Sequence, residues 1–592
     1  MPRDIAEHLW GEDTLNIHSI HRSRRFRACL FAAVMSTAVA GRWMPARALA
    51  SPAAARTYVV RALPGEIDAA TADLGRAGAT VTRELRGIDE AVVRMTPTAA
   101  MAATRIATIA NVTADAHVRL ASDGYGGRGT YDAGSDPNSM YAITNVIGAR
   151  DFWSSTTGDG VDVALLDSGV DPVAGLDTPG KVVYGPDLSF ESQNPHLRDL
   201  DTYGHGTHMA GIIAAHDDGV DPQYSSWKSG PFFGVAPDAR IVSVKLADAY
   251  GATDVSQVIA GIDWVVQHAH DNGLNIRVIN LSFGTPSLQA ADLDPLSYAA
   301  EAAWRHGIVV VVSVGNSGST AGRLSDPAIN PWVIAVGADD ANGTRSTSDD
   351  VIPDYSSRGD GHRNPDLVAP GAHVQSLRAP GSHIDDIYGR GAGSINDRFL
   401  RGSGTSQAAA VVSGAVAMLL QQRPNLDPNE VKALLTGTAR PLDAGPEAAG
   451  NGLLNLRRAM HASVPEVQSW PQSTGTGSLD AARGPQQLVL DGVPLTGEID
   501  IFGATYDTTQ RAAEEDAGTS WVDGTWNGRR WAGADWLSTS WAGTAWTGAE
   551  WNDANWAGRR WADANWSGRR WADSLWSASN FDGGDWAVGQ WS

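Results

Sequence analysis

Between residues 135 and 462 the chain alternates short, mainly aliphatic runs at 161–166, 241–246, 277–281 and 308–314 with helix-patterned stretches such as 254–270 and 295–306. This alternation constrains the fold more than any other feature. A short apolar run that does not alternate with polar residues has no face to offer water, so it suits a strand covered on both sides. Such strands lie parallel, and parallel neighbours need a long crossover, which the helical stretches supply. Asp254 and Pro295 stand where helices should start, one as a side-chain cap and the other with its φ preset. The pattern predicts an α/β fold, a doubly wound parallel sheet.

The 592 residues exceed what one compact core holds, so further segments are expected. Residues 1–50 read as a signal peptide. Arg22, Arg24, Arg25 and Arg27 precede an apolar stretch at 28–41, and small residues end in Ala48-Leu49-Ala50, a cleavage pattern. The apolar stretch is too short to span a bilayer. Ser23-Arg24-Arg25 hints at twin-arginine export, though the residues after it fit poorly. A disordered N-terminal extension is the alternative. Residues 51–121 read as a small α+β unit, with strands at 57–61, 79–82 and 91–95 and helices at 66–75 and 99–109. A glycine-rich stretch at 122–129 follows, and the α/β block as a domain is assigned to 122–465. Beyond it, 466–511 reads as a linker and small C-terminal segment with a few strands at 487–505, and 512–592 as a repeat.

In that repeat an aromatic recurs every five residues from Trp521 to Trp591, and Phe581 is the only substitution. A step of five does not keep to one helix face and flips faces along a strand. A β-type arrangement, a solenoid side or a series of short strands, fits better.

Lys plus Arg number 45 and Asp plus Glu 67, a net charge of −22, which argues against nucleic acid as a partner. Cys29 is the single cysteine, so disulfides and a Cys-ligated zinc are excluded elsewhere.

Three segments carry candidate chemistry. Val163-Ala164-Leu165-Leu166-Asp167-Ser168-Gly169 ends a buried strand in a carboxylate, at the end of an open sheet where ligands collect. Tyr203-Gly204-His205-Gly206-Thr207-His208 sets a histidine between glycines at the head of a small-residue helix. Gly402-Ser403-Gly404-Thr405-Ser406-Gln407-Ala408 leads through glycines to a serine opening an Ala-rich helix. Singly, each has a structural reading as an Asx-turn, a packed histidine or an N-cap. Together, in the order Asp, His, Ser, they resemble the subtilisin-like serine proteases, the subtilases, over roughly residues 57–462. That order is the family's own known signature.

The resemblance implies a secreted serine endopeptidase with Ser406 as nucleophile, His205 as general base and acid, and Asp167 orienting the imidazole. His208 is read as structural. In Ser313-Val314-Gly315-Asn316-Ser317-Gly318, Asn316 matches the family's side-chain donor to the oxyanion. Ser282, Phe283 and Gly284 resemble the edge that pairs with an extended substrate. No acid stands out there to favour Arg or Lys, so a broad apolar preference is expected. Ala410 departs from the family, which usually has proline a few residues after the nucleophile.

Residues 51–121 resemble the family's inhibitory propeptide, with cleavage expected at 120–130. No cofactor or metal is required by this chemistry. In relatives the region matching 216–234 can bind calcium, and Asp217, Asp218 and Asp221 are hard oxygen ligands, although solvated loop acids account for them as well. The expected partners are polypeptide substrates, the chain's own propeptide, and a cell-wall or other surface ligand for the tail, which could equally stack on itself. Two further function classes stand beside the endopeptidase: an inactive subtilase-like binding protein, and a protein whose functional part is the tail.

Overall fold

The computed structural model describes residues 55–114 and 131–530, except 87–88, 193, 195, 222–228, 321, 390–392, 486 and 491–492, and the backbone of a short strand, Trp576–Ala578. The signal segment, the glycine-rich stretch at 122–129 and, that strand apart, the repeat from 531 lie outside the described residues. Contacts divide the chain into two units, Met1–Ala116 and His117–Ser592.

The small unit runs β1 (Arg56–Ala62), α1 (Ile67–Arg76), β2 (Thr80–Leu85), β3 (Glu90–Met95), α2 (Pro97–Ala103) and β4 (Ile109–Ala114). Its antiparallel sheet has the order β2-β3-β1-β4. Alternation along β1 turns Tyr58, Val60 and Ala62 inward, onto Ala70 and Leu74 of α1 and Ala103 of α2. The second helix is shorter than the expected 99–109. It stops at Ala103, and the β-branched residues Ile109, Val112 and Thr113 return as a strand that pairs with the open side of β1.

The larger unit opens with α3 (Met140–Val146) and continues with β5 (Asp162–Asp167), β6 (Val182–Asp187), α4 (His205–Ala214), β7 (Arg240–Lys245) and α5 (Val255–His268). Next come β8 (Ile276–Leu281), α6 (Pro295–Arg305), β9 (Val309–Ser313), β10 (Ile334–Asp339) and β11 (Leu367–Pro370). A hairpin of β12 (Val374–Leu377) and β13 (Phe399–Gly402), interrupted by α7 (His383–Tyr388), leads into the long α8 (Thr405–Gln422). Helices α9 (Pro428–Thr438), α10 (Pro446–Ala449) and α11 (Leu456–His461) follow.

The seven-stranded parallel sheet has the order β11-β10-β9-β8-β5-β7-β6. Every residue of β5 and β9 is buried, as their unbroken apolar character requires. Asp254 caps α5 in a full capping box with Gln257. For α6 the cap is Asp294, and Pro295 takes the first helical position.

The stretch expected as a linker at 466–511 runs over α5 and α6. It forms α12 (Leu479–Arg483), β14 (Leu488–Leu490), β15 (Val493–Pro494) and α13 (Thr508–Ala517), so residue 512, where the repeat was expected to begin, lies inside a helix. Three short strands follow, β16 (Trp521–Val522), β17 (Thr525–Trp526) and β18 (Arg529–Arg530). The turns between them are Asp523-Gly524 and Asn527-Gly528, all four residues at positive φ (47°, 78°, 50° and 68°), which matches the twist of a two-residue hairpin. Trp521 and Trp526 are 2% and 0% exposed. Their indole N–H groups donate to the Ala260 carbonyl (2.9 Å) and to Asp263 Oδ2 (2.7 Å), both on α5. Among the described residues no helix is long and apolar enough to cross a membrane.

Candidate active site

Asp167 is the last residue of β5 and is fully buried. Its strand lies between β8 and β7, and its carbonyl accepts the Leu246 N–H at 2.7 Å, just past β7. His205 is the first residue of α4 and is 1% exposed. Its Nδ1 sits 2.8 Å from Asp167 Oδ1 and 2.9 Å from Oδ2. The glycines beside it have a steric reason. A Cβ at position 206 would lie 2.0 Å from the Gly169 carbonyl oxygen, so α4 reaches the turn after β5 only because Gly206 has no side chain.

A carboxylate that the sequence reading passed over holds the two loops together. Asp201 Oδ1 accepts from Ser168 Oγ and from the Gly204 N–H, each at 2.7 Å, and Oδ2 accepts the Thr207 N–H at 2.7 Å. Burial pushes the Asp201 carboxyl up, and these hydrogen bonds oppose that. The available signal was an acid four residues ahead of the histidine.

Ser406 is the second residue of α8 and 2% exposed, and α8 packs on α4. Ala410 is buried within α8, and the helix continues past it to Gln422. Asn316, 6% exposed, stands three residues beyond β9. Its Oδ1 accepts the Thr405 N–H at 2.9 Å and Thr405 Oγ1 at 3.1 Å, and Thr405 Oγ1 accepts the Gly315 N–H at 3.2 Å. With the oxygen taken, the amide turns Nδ2 toward Gly404, where a Cβ would approach it to 3.4 Å. The structure therefore brings Asn316 to the residues immediately before Ser406, through a threonine that the sequence reading did not single out.

Ser282, Phe283 and Gly284 follow β8. Ser282 Oγ donates to Asn280 Oδ1 (3.1 Å) and to the Ser406 carbonyl (3.4 Å). The Phe283 ring is fully buried in the main core, so its contribution to a substrate edge is its backbone. His208 is buried, and its pKa is pushed down to about 3 by burial and by His205, so it stays neutral.

Two of the acids weighed as calcium ligands have partners within the protein. Asp217 is ion-paired with Arg398 and accepts the Phe232 N–H at 2.8 Å, while Asp218 accepts Thr178 Oγ1 at 2.7 Å. Among the described residues no group of three or more His, Cys, Asp or Glu is placed to hold a metal.

The model of the subtilase family matches residues 158–461. Serine protease AprX of Bacillus subtilis is 36% identical over 311 residues, which cover 51% of this chain and 67% of that protein. Subtilisin Savinase of Lederbergia lenta is 35% identical over 303 residues, covering 51% of this chain and 91% of that protein. The crystal structure of fervidolysin from Fervidobacterium pennivorans, a keratinolytic enzyme related to subtilisin, matches at 24% identity with a TM-score of 0.44, covering 74% of this chain and 63% of that one.

Proposed function

We propose the following mechanism for a chain that belongs to the subtilase family and is a serine protease, a hydrolase acting on peptide bonds. Ser406 attacks the scissile carbonyl, His205 takes its proton, and Asp167 holds the imidazole. The observation that carries this reading is the position of His205 Nδ1, 2.8 and 2.9 Å from the two oxygens of a buried carboxylate. That contact keeps a proton on Nδ1 and leaves the Nε2 lone pair to accept the serine proton. The imidazolium that forms is stabilised by Asp167 and returns the proton to the leaving amine. A water then repeats the sequence on the acyl-enzyme. Asn316 Nδ2 and the Ser406 N–H receive the oxyanion, and Thr405 orients the amide for that purpose. The segment Ser282-Phe283-Gly284 pairs with the substrate backbone.

The same reading assigns export to residues 1–50 and an inhibitory, self-cleaved propeptide to 51–121. Catalysis needs no cofactor, and polypeptides are the substrates. The repeat beyond residue 530 attaches the enzyme to a cell-wall or other surface. The test is labelling with a serine-directed phosphonate, together with Ser406→Ala. The wild type should be labelled at Ser406, and the variant should lose casein hydrolysis and retain residues 51–121. Near wild-type casein cleavage by the variant would remove Ser406 from the role of nucleophile.

A further inference from the structure

Residues 482 and 483, at the end of α12, reach two loops at once. These loops leave the carboxyl ends of β8 and β7, the two neighbours of the strand that carries Asp167. The Ala482 carbonyl accepts Thr285 Oγ1 at 2.6 Å, one residue beyond the Ser282-Phe283-Gly284 segment. Thr285 in turn exchanges both backbone hydrogen bonds with Asp326, at 2.9 and 2.8 Å, which ties this segment to the loop that follows β9.

Arg483 is 0% exposed. Its Nε donates to Asp254 Oδ1 at 2.7 Å and its Nη2 to Oδ2 at 3.3 Å. The remaining donors are held by the Gly497 carbonyl at 2.8 Å, the Ile499 carbonyl at 2.5 Å and Asp480 Oδ1 at 3.4 Å. Asp254 ends the loop after β7. It caps α5, its N–H donates to Gln257 Oε1 at 2.7 Å, and Gln257 Nε2 reaches the Leu188 carbonyl at 2.6 Å. The contact with the loop after β8 extends upstream: Gln289 Nε2 donates to the Ser478 carbonyl at 2.7 Å, and the Ser478 N–H to Gln289 Oε1 at 2.8 Å.

We propose that α12 is a brace for the substrate groove and that Arg483 is a positioning residue for substrate binding. It acts through Asp254 on the loop after β7, while Ala482 acts through Thr285 on the loop after β8. This rests on the reading of 282–284 as the substrate edge. The guanidinium is suited to the task because its donors form a planar fork fixed by five acceptor contacts, so it transmits position rather than only charge. The loops at the carboxyl ends of parallel strands are where a ligand sits in such a sheet, and α12 spans the pair that flanks Asp167. The brace lies outside the region matched by the family model, which ends at residue 461. The chain therefore brings a segment of its own to the groove.

The test uses the full chain and two substrates, a peptide with four residues before the scissile bond and a small amino-acid ester. Thr285→Val keeps the shape and removes the donor to Ala482. It should raise KM for the long peptide about fivefold, leaving kcat and the ester reaction nearly unchanged. Arg483→Met with Asp254→Asn, which avoids an unpaired buried carboxylate, should act in the same direction and more strongly. If the double variant does not fold, Thr285→Val decides. An unchanged KM overturns the proposal, as does an equal loss on both substrates, which would mark a merely structural role. Phosphonate labelling is run in parallel. Failure of the wild type to label Ser406 would reject the catalytic assignment, whereas normal labelling with an unchanged KM would reject only the brace.

Discussion

Replacing Trp526 with alanine tests whether the first tryptophans of the repeat belong to the catalytic unit's core. Trp526 is fully buried, packs near Tyr506 with ring centroids 6.0 Å apart, and donates to Asp263. A buried tryptophan covers on the order of 150–250 Å². At about 25 cal/mol per Å² that is roughly 4–6 kcal/mol, an upper figure because the unfolded chain also hides some surface. Large-to-small replacements of aromatic core residues cost about 3–5 kcal/mol. The lost hydrogen bond exposes a second term. Burial pushes Asp263 up to about 7 even against the opposing pull of the Trp526 bond. Trp526→Phe keeps most of the area and removes only this bond, so it should cost about 1–3 kcal/mol. Both changes are best measured in a Ser406→Ala background, which excludes self-digestion, by denaturant unfolding followed with circular dichroism. A loss of about 3–5 kcal/mol is roughly a fifth or more of the 5–15 kcal/mol typical of a domain, so the midpoint should move far outside error. Truncation after residue 505, which removes both tryptophans, should destabilise at least as much. A wild-type midpoint for Trp526→Ala would refute the assignment of Trp526 to the core.

Asn316→Ala should lower kcat by about a hundredfold or more with little change in KM, because the bond to the oxyanion forms mainly in the transition state. Steady-state kinetics check this, and a pure KM effect would make Asn316 a substrate-binding residue. Asp339, 1% exposed, has a pKa pushed up to about 8 by burial and then by Asp350 and Asp340, against about 3.9 for an unfolded aspartate. A raised folded value means that the folded state holds the proton more tightly. The stability it contributes is complete below about pH 4 and is lost as pH rises through about 8. The thermal midpoint should therefore fall between about pH 4 and 8, less steeply in Asp339→Asn, and identical slopes would exclude Asp339 as the source.

The sheet was legible because its four most apolar runs have no alternation, and such runs become β5, β7, β8 and β9 in the structure. The strands β6, β10 and β11 were harder to read. Val182-Val183-Tyr184 is followed at once by Gly185-Pro186, and Leu367-Val368-Ala369 is a run of only three apolar residues between Pro365-Asp366 and Pro370. These strands exist because the neighbouring strand supplies the pairing, an effect that local pattern does not record. In the site, the order Asp, His, Ser and the flanking glycines could be read directly. Asp201 and Thr405 could not, since each acts through hydrogen bonds to partners that only folding brings near, such as Ser168 and Asn316.

The C-terminal boundary is hard to read for a related reason, and a better signal for it lies elsewhere in the chain. Composition turns to Pro, Gly, Ser and Thr after residue 463, and such composition reads as linker when only propensity is weighed. The buried acids of the preceding helices argue against a linker. Asp254, Asp263 and Glu301 occur in or at the start of helices whose other residues are mostly apolar, and all three acids are buried. A buried carboxylate is costly unless donors reach it, so these acids require partners. Local donors reach two of them, Ser256 for Asp254 and Asn330 for Glu301, and the C-terminal stretch adds the rest: Arg483 for Asp254, Trp526 for Asp263, and the Ser473 N–H at 3.0 Å for Glu301. Each C-terminal partner is more than 170 residues away in sequence. Acids set into apolar helices therefore imply a covering segment from the sequence alone, and a chain ending near residue 465 would leave all three without it.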